Sequence, residues 1–315
     1  MGKTGYLFAG QGAQYAGMGK DLYDNFPESK KVFDQADEIL GFSVSELCFE
    51  GPEEELKQTR NCQPAIVTMS VAAWEAFKAV TGHKIEAGSF AAGLSLGEYT
   101  ALVVSGALRF EDAVSLVKLR GEFMEEDAVK NPGKMLSIIG LNLEAVRKIC
   151  LETDTQIANI NCPGQIVISG GFSEIQNAAG AAQTAGARRA IMLEVSGAFH
   201  SSFMKGASRK LAEVLSKITI YEPTIPCISN VTALPMTSSA EIKDNLVKQV
   251  SSSVLWEDSM RFILSQGIST FYEFGPGRVL KGLMRRIDEA AVVTNIEKKD
   301  DIINLMDNKN VGCGC

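Results

Sequence analysis

A serine between two glycines is the feature of this sequence that most suggests chemistry. Residues 93 to 97 read Gly-Leu-Ser-Leu-Gly and fit the pattern G-x-S-x-G. In a nucleophile elbow this pattern places the serine on a sharp turn between a strand and a helix, whose N-terminus faces the developing negative charge. Both elements are expected here, because the apolar run GSFAAG precedes Ser95 and the helical run GEYTALVVSGA follows it. The sequence therefore predicts Ser95 as a nucleophile.

A serine nucleophile needs a general base, and the chain contains two histidines. His83 lies in the polar segment TGHKIEA, which favours a solvated surface histidine. His200 lies in VSGAFHSSFM, after a predicted strand and downstream of the serine, as in the chain order of hydrolases. We predict His200 as the base, the alternative being a buried histidine with a packing role. No acidic third member can be assigned, because the Asp and Glu residues are too numerous for one to be singled out.

The glycine-rich segment AGQGAQYAGMGK follows the first predicted strand and could be mistaken for a phosphate-binding loop. Tyr15 stands where a dinucleotide loop needs its third glycine, and Asp21 stands where a Walker A loop needs serine or threonine. A plain turn between strand and helix is the simplest alternative. The turn also offers backbone N–H groups at a strand end. We predict that those of Gln11 and of Leu96, which follows the nucleophile, form an oxyanion hole.

Two patterns of predicted elements run along the chain. Up to about residue 129, short apolar strands such as TGYLFAG and SFAAGLS alternate with helices, which predicts a parallel sheet with helices on both faces. Between about residues 130 and 195 the order is strand, helix, strand, strand, helix, strand, as in ferredoxin-like folds. Helices and short strands such as IPCISNV and STFYEFG then return. We predict an α/β domain at residues 1–129 and 196–315 with a ferredoxin-like subdomain inserted at residues 130–195.

Composition restricts the location and partners of the chain. Its 315 residues are 45% hydrophobic and 22% charged, which suits a globular protein with a large core. The formal net charge of −7 argues against general nucleic-acid binding, which needs many Lys and Arg side chains against the phosphates. The sequence shows no recognisable signal peptide and no apolar stretch of membrane-spanning length. We therefore expect a cytoplasmic protein that binds neither nucleic acid nor membrane.

The cysteines predict no metal site and no disulfide framework. They number seven, an odd count, and are scattered without the C-x-x-C spacing of zinc or redox sites. We expect reduced, mostly buried thiols. The Cys-Gly-Cys tail could bind a metal ion, but a frayed terminus is the simpler interpretation.

Several motifs across nearly the whole chain resemble one enzyme family. They are FAGQGAQYAGMGKDL, QPAI, GLSLGEYTALVVSGAL, LVKLRGEFM, PGQIVISG, GAFHSSFM, ISNVTA and EFGPGRVLKGLMRRI. Together they make the sequence similar to malonyl-CoA:acyl carrier protein transacylases, which load malonyl units for fatty acid synthesis. The resemblance implies an α/β-hydrolase-like large domain with a ferredoxin-like insert. It also implies malonyl-CoA and coenzyme A as substrate and product, phosphopantetheinylated acyl carrier protein as partner, and no bound cofactor.

The resemblance also implies roles for individual residues. Ser95 would accept the acyl group in a ping-pong exchange, with His200 as base and the N–H groups of Gln11 and Leu96 as oxyanion hole. In that family the histidine is oriented by backbone carbonyls rather than by an acid, and one of these carbonyls corresponds to Gln249. This would explain why no acidic member can be assigned.

Acyl selection rests on two further residues that the resemblance implies. Arg120 would pair with the malonyl carboxylate, although from position alone an exposed helix arginine is the favoured interpretation. Phe199 would leave no room for an α-methyl branch and so favour malonyl over methylmalonyl. Two departures from the family pattern are visible. Leu94 replaces the usual histidine before the nucleophile, and Ser253 replaces a common proline, which suggests a less rigid loop around Gln249.

Other functions remain open beside the transacylase. One alternative is a trans-acting acyltransferase of polyketide synthesis, because the sequence does not separate fatty acid from polyketide synthesis. A serine esterase would share the elbow and base but would be expected to admit water and to lack a buried arginine facing the acyl group. A non-catalytic relative would be expected to have lost Ser95 or His200, and both are present.

Docking of the acidic carrier protein needs a local basic patch, because the whole chain is acidic. We predict that Arg188 and Arg189 form this patch on the small subdomain, with Lys281, Arg285 and Arg286 as further candidates. The alternative is ordinary solvated charge without a docking role.

Overall fold

The computed structural model describes residues 2–311, in which helices surround two β-sheets. The strands are β1 (Gly5–Phe8), β2 (Phe90–Gly93), β3 (Lys134–Ile139), β4 (Gln156–Cys162), β5 (Gln165–Gly170), β6 (Arg189–Met192), β7 (Cys227–Ile228), β8 (Pro235–Met236), β9 (Thr270–Phe274) and β10 (Val292–Ile296). The helices are α1 (Lys20–Asn25), α2 (Pro27–Leu40), α3 (Val44–Glu50), α4 (Glu53–Leu56), α5 (Thr59–Thr81), α6 (Gly97–Val104), α7 (Phe110–Lys130), α8 (Leu143–Thr153), α9 (Phe172–Thr184), α10 (Lys205–Leu215), α11 (Ser239–Gln249), α12 (Trp256–Ser265), α13 (Val279–Ile287) and α14 (Lys299–Val311).

The larger sheet has the strand order β10-β9-β1-β2-β7-β8. Neighbouring strands are parallel from β10 to β7, as predicted, and β8 is antiparallel to β7. The antiparallel pair has a local cause, because a short turn joins the two strands and only antiparallel strands can be joined that way. All four residues of β1 are buried, as expected for a central parallel strand covered on both faces.

The smaller sheet has the strand order β4-β5-β3-β6, with every neighbouring pair antiparallel. Helices α8 and α9 pack against it and share an apolar core with β3 and β5. The predicted order of strand, helix, strand, strand, helix, strand is thus confirmed. Backbone hydrogen bonds also join β4 to the segment after α11, from Ile160 N to Val254 O at 2.9 Å and from Val254 N to Ala158 O at 2.8 Å.

The parallel register of the larger sheet places the loops that carry Gln11 and Ser95 side by side. Phe8, the last residue of β1, is paired with Gly93, the last residue of β2. The loops that follow these strands leave the same edge of the sheet, where ligands commonly bind in α/β folds. They touch at Gly10, where an added Cβ atom would lie 2.4 Å from the carbonyl oxygen of Leu94.

The interpretation of His83 as a solvated surface residue was wrong. His83 is buried, and its Nε2 atom lies 2.7 Å from the hydroxyl of Tyr6. The rings of Phe77 and Tyr272 pack against the imidazole. The polar residues next to His83 in the sequence could not indicate this burial, because the aromatic rings that pack against His83 come from α5 and β9.

The described cysteines are free thiols with buried side chains: Cys48, Cys62, Cys150, Cys162 and Cys227. The Cys-Gly-Cys tail lies outside the described residues. None of the described helices is long and apolar enough to cross a membrane.

Candidate active site

Ser95 lies on a sharp turn between β2 and α6, with a left-handed φ of 51°. Such a backbone conformation costs a non-glycine residue about 1–3 kcal/mol and persists only where the surroundings enforce it. The two flanking glycines are required sterically. A Cβ atom on Gly93 would lie 1.9 Å from the carbonyl carbon of Gly97, and one on Gly97 would lie 2.1 Å from the carbonyl oxygen of Phe8. The turn therefore has the construction of a nucleophile elbow.

The structure brings His200 to the serine hydroxyl. Its Nε2 atom lies 2.8 Å from Ser95 Oγ, and its Nδ1 atom lies 2.9 Å from the carbonyl oxygen of Gln249. A carbonyl can only accept, so Nδ1 carries the proton and Nε2 is free to accept one from the serine. Burial, followed by the charge of Arg120, lowers the pKa of His200 to about 4. The imidazole is therefore neutral and ready to act as a base at neutral pH.

Arg120 lies on α7 directly beneath the nucleophile and is only 1% exposed, so it is not a surface arginine. Its Nη2 donates to Ser95 Oγ at 3.1 Å and to Gln249 Oε1 at 3.2 Å, while Nη1 donates to Gln63 Oε1 at 2.8 Å. All three acceptors are neutral oxygens, and burial lowers the pKa of the guanidinium. A buried cation with neutral partners is well suited to receive an anionic group.

The predicted oxyanion residues lie on two neighbouring loops, those that follow β1 and β2. Gln11 belongs to the loop after β1 and lines the same cavity as Ser95. Leu96 directly precedes α6, whose first backbone N–H groups, those of Gly97 and Glu98, bond to the carbonyls of Leu94 and Ser95. The side chain of Gln11 donates to the Thr59 hydroxyl at 3.4 Å, which helps to fix the loop.

A cavity of about 270 Å³ opens above the nucleophile, between the larger and the smaller sheet. Ser95, His200 and Gln11 contribute polar groups to its wall, and Leu94 and Phe199 contribute apolar surface. Phe199 itself is 5% exposed, and its carbonyl accepts a hydrogen bond of 2.6 Å from Ser169. Arg120 and Gln249 lie behind the serine. A small acyl group attached to Ser95 would therefore stand beside the apolar wall, with the guanidinium of Arg120 behind the serine hydroxyl at 3.1 Å.

Sequence reasoning missed the residue that braces the serine turn, Asn230. Its Oδ1 accepts from the backbone N of Ser95 at 2.6 Å, and its Nδ2 donates to the carbonyl of Gly93 at 2.8 Å. Its own backbone N donates to the carboxylate of Glu98 at 2.8 Å. The available signal was a polar residue at the end of the apolar strand segment IPCISN, but the sequence could not show that β7 lies next to β2.

The structure shows what Leu94 and Ser253, the two residues that depart from the family pattern, contact. Leu94 packs against an apolar cluster that includes Leu7, Ala92 and Trp256, and it borders the cavity. Ser253 donates its hydroxyl proton to the carbonyl of Ile157 on β4 at 2.5 Å. Proline has no donor and could not form this bond, so the serine supplies a link between the loop near Gln249 and the smaller sheet.

The predicted docking residues are all exposed: Arg188, Arg189, Lys281, Arg285 and Arg286. Arg189 begins the edge strand β6 of the smaller sheet. Arg286 also forms hydrogen bonds within the chain, because its guanidinium donates to Gln165 Oε1 at 2.8 Å and to the carbonyl of Pro163 at 3.0 Å. Arg286 therefore has a structural role between α13 and the turn that joins β4 to β5.

Comparison with known proteins identifies the family. The family model described as acyl transferase domain matches residues 5–299. A protein of Bacillus subtilis (strain 168), named malonyl CoA-acyl carrier protein transacylase, is 47% identical over 296 residues, which cover 91% of each chain. The chain belongs to this transacylase family. A second member, from Escherichia coli (strain K12), is 40% identical over 291 residues, or 91% of this chain and 93% of the relative.

Solved structures of the transacylase family match the fold. A malonyl-transacylase in complex with its type II polyketide synthase acyl-carrier protein has a TM-score of 0.94 and 38% identity, over 98% of this chain and all of that one. The corresponding enzyme of Streptococcus pneumoniae has a TM-score of 0.91 and 41% identity, over 97% of this chain and all of that one. The likeness extends over both sheets, so the predicted fold class is confirmed.

Proposed function

We propose that the chain transfers a malonyl group from malonyl-CoA to the phosphopantetheine thiol of acyl carrier protein, through a malonyl ester on Ser95. The observation that most supports this is the position of the serine hydroxyl between a neutral base and a buried cation. His200 Nε2 lies 2.8 Å from Ser95 Oγ, and Arg120 Nη2 lies 3.1 Å from it. One site thus combines nucleophile activation with a receptor for the malonyl carboxylate.

The first half-reaction loads the enzyme. Ser95 Oγ attacks the thioester carbonyl while its proton passes to His200 Nε2, and the carbonyl oxygen becomes an oxyanion near the N–H groups of Gln11 and Leu96. The C–S bond then breaks as His200 returns the proton to the sulfur, and coenzyme A leaves. The product is the malonyl ester of Ser95.

The second half-reaction reverses the roles of the two nucleophiles. His200 accepts the proton of the carrier-protein thiol, and the sulfur attacks the ester carbonyl. The new C–S bond forms, the bond to Ser95 Oγ breaks, and the proton returns from His200 to the serine. Because the side chains and the two substrates account for every proton and acyl transfer, these steps use no bound cofactor.

Acyl selection in this proposal depends on Arg120 and Phe199. A guanidinium can donate two parallel hydrogen bonds to a carboxylate. These bonds offset the free-energy cost of burying the malonyl carboxylate. Phe199 borders the cavity beside the base and restricts branching next to the reacting carbonyl. The site would therefore favour malonyl over both acetyl and methylmalonyl.

Domain boundaries and location follow as parts of the same proposal. We place the catalytic domain at residues 1–129 and 196–315 and the inserted subdomain at residues 130–195, because β3 to β6 fall between residues 134 and 192.

A cytoplasmic location would agree with the five described free thiols. We propose fatty acid synthesis as the pathway, with polyketide synthesis as the alternative.

Incubation with malonyl-CoA tests the proposed function. We expect mass spectrometry to find one malonyl group on Ser95 within the mixing time, slow release of free malonate, and fast transfer when carrier protein is added. Carrier proteins from fatty acid and polyketide systems, supplied in separate reactions, would distinguish the two pathways. Fast malonate release without carrier protein would instead identify a serine esterase.

Charge reversal on the smaller sheet tests the docking proposal. The double variant Arg188→Glu and Arg189→Glu should slow transfer to the acidic carrier protein by roughly tenfold at low salt and less at high salt. Acylation by malonyl-CoA should change little. The double variant Lys148→Glu and Lys217→Glu is the control, because it changes the net charge equally at two other exposed positions. An equal loss in both half-reactions, or an equal effect of the control, would contradict a docking role.

A further inference from the structure

A carboxylate that the proposed mechanism does not use lies directly behind the nucleophile. Glu98 is the second residue of α6 and has no exposed surface. Burial raises the pKa of its carboxyl group to about 7, although hydrogen bonds from Asn230 and Gln249 and the charge of Arg120 act in the opposite direction. Burial of an ionisable group is costly, so its hydrogen-bond partners are informative.

One oxygen of the Glu98 carboxylate joins two segments that are distant in the sequence. Oε2 accepts from the backbone N of Asn230 at 2.8 Å and from the side-chain Nε2 of Gln249 at 3.1 Å. Both partners also hold the nucleophile turn. Asn230 bonds the backbone N of Ser95, and Gln249 Nε2 donates to the carbonyl of Ser95 at 3.0 Å. The carboxylate therefore connects the two residues that clamp the backbone of Ser95.

The Glu98 oxygen and the Ser95 carbonyl together determine which way the Gln249 amide points. The side-chain Nε2 of Gln249 meets two acceptors, the Glu98 carboxylate and the Ser95 carbonyl. The amide oxygen then faces Arg120, at 3.2 Å from Nη2. In the reversed orientation the oxygen would meet two acceptors and the NH₂ group would meet the guanidinium, so every contact would be unfavourable.

We propose that Glu98 is a positioning residue for acyl selection: its hydrogen bond orients the Gln249 amide, whose oxygen holds the Arg120 guanidinium against the Ser95 hydroxyl. This inference rests on the proposed malonyl transfer, in which Arg120 receives the malonyl carboxylate. If the Gln249 amide were released, the guanidinium would lose one of its three fixed acceptors. Reaction with malonyl-CoA would then suffer more than reaction with acetyl-CoA, which offers no carboxylate to Arg120.

Two variants of Glu98 separate its geometry from its charge. Glu98→Asp keeps the carboxylate but shortens the side chain, so it cannot reach both donors from the same backbone position. Glu98→Gln keeps the length and an acceptor oxygen but removes the charge. We expect the preference for malonyl-CoA over acetyl-CoA to fall about tenfold or more in Glu98→Asp, the effect of one misplaced hydrogen bond to a charged group, and to stay within about threefold in Glu98→Gln.

The measurement is the rate of acyl-enzyme formation from each thioester, taken separately, with thermal unfolding followed in parallel. Leu102→Ala is the control for lost stability, because Leu102 is buried on the same helix and outside this network. An unchanged preference in folded Glu98→Asp, an equal fall in Leu102→Ala, or a large fall in folded Glu98→Gln would each overturn the inference. A wild-type enzyme without any preference for malonyl-CoA would instead refute the proposed function itself.

Discussion

A Ser95→Ala variant is expected to form no malonyl-enzyme when it is mixed with malonyl-CoA. Alanine offers no oxygen to attack the thioester, and the other hydroxyls that the structure describes in the cavity wall, those of Thr59 and Ser196, bond each other rather than His200. Loss of a serine nucleophile typically lowers turnover by roughly six orders of magnitude. Intact-mass measurement after brief exposure to malonyl-CoA, followed by peptide mapping, would report both the presence and the position of an acyl group.

Ser105→Ala is a matched control for this experiment. Ser105 is also buried and directly follows the helix that Ser95 precedes, but its hydroxyl donates to the carbonyl of Leu102. We expect the control to acquire a malonyl group at Ser95 at nearly the normal rate. A covalent malonyl adduct on folded Ser95→Ala protein would show that another residue is the nucleophile and that the turn at Ser95 is not a nucleophile elbow.

The parts of this site that lie close together in the sequence could be predicted. The elbow needs only a strand, a turn with two glycines and a helix, and residues 88 to 105 contain all three. Side-chain patterning likewise gave the element order of the smaller sheet, because its strands are apolar and its helices are amphipathic. Roles for Arg120 and Gln249 came only from the family resemblance, since nothing local marks a helix arginine as buried.

The parts that depend on distant segments could not be predicted. Glu98 meets Asn230 and Gln249 across sequence separations of 132 and 151 residues, and no local pattern reports such contacts. The prediction that His83 is a surface residue was wrong for the same reason, because the aromatic rings that bury it belong to other elements. Local periodicity reports which face of an element is buried, whereas a polar network depends on the order of the strands in the sheet.

An Arg120→Ala variant is expected to lose malonyl transfer while it retains much of its reactivity towards acetyl-CoA. The guanidinium is buried beneath the nucleophile, and a malonyl carboxylate placed there without it would be an unpaired buried charge. Removing one partner of a buried ion pair costs about 3–5 kcal/mol, which corresponds to roughly two to three orders of magnitude in rate or more. Acetyl-CoA presents no such charge and should lose far less.

Competition between malonyl-CoA and acetyl-CoA for Ser95 measures this difference directly. Arg120→Lys is an informative companion, because lysine keeps the positive charge but cannot present two parallel donors to a carboxylate. We expect its preference for malonyl to lie between those of the wild type and Arg120→Ala. Lys118→Ala, on the same helix, removes a cation that pairs with Glu122 instead and should leave the preference unchanged. If folded Arg120→Ala still preferred malonyl over acetyl, the carboxylate would have to be recognised elsewhere, and the buried guanidinium would act only on Ser95 and His200.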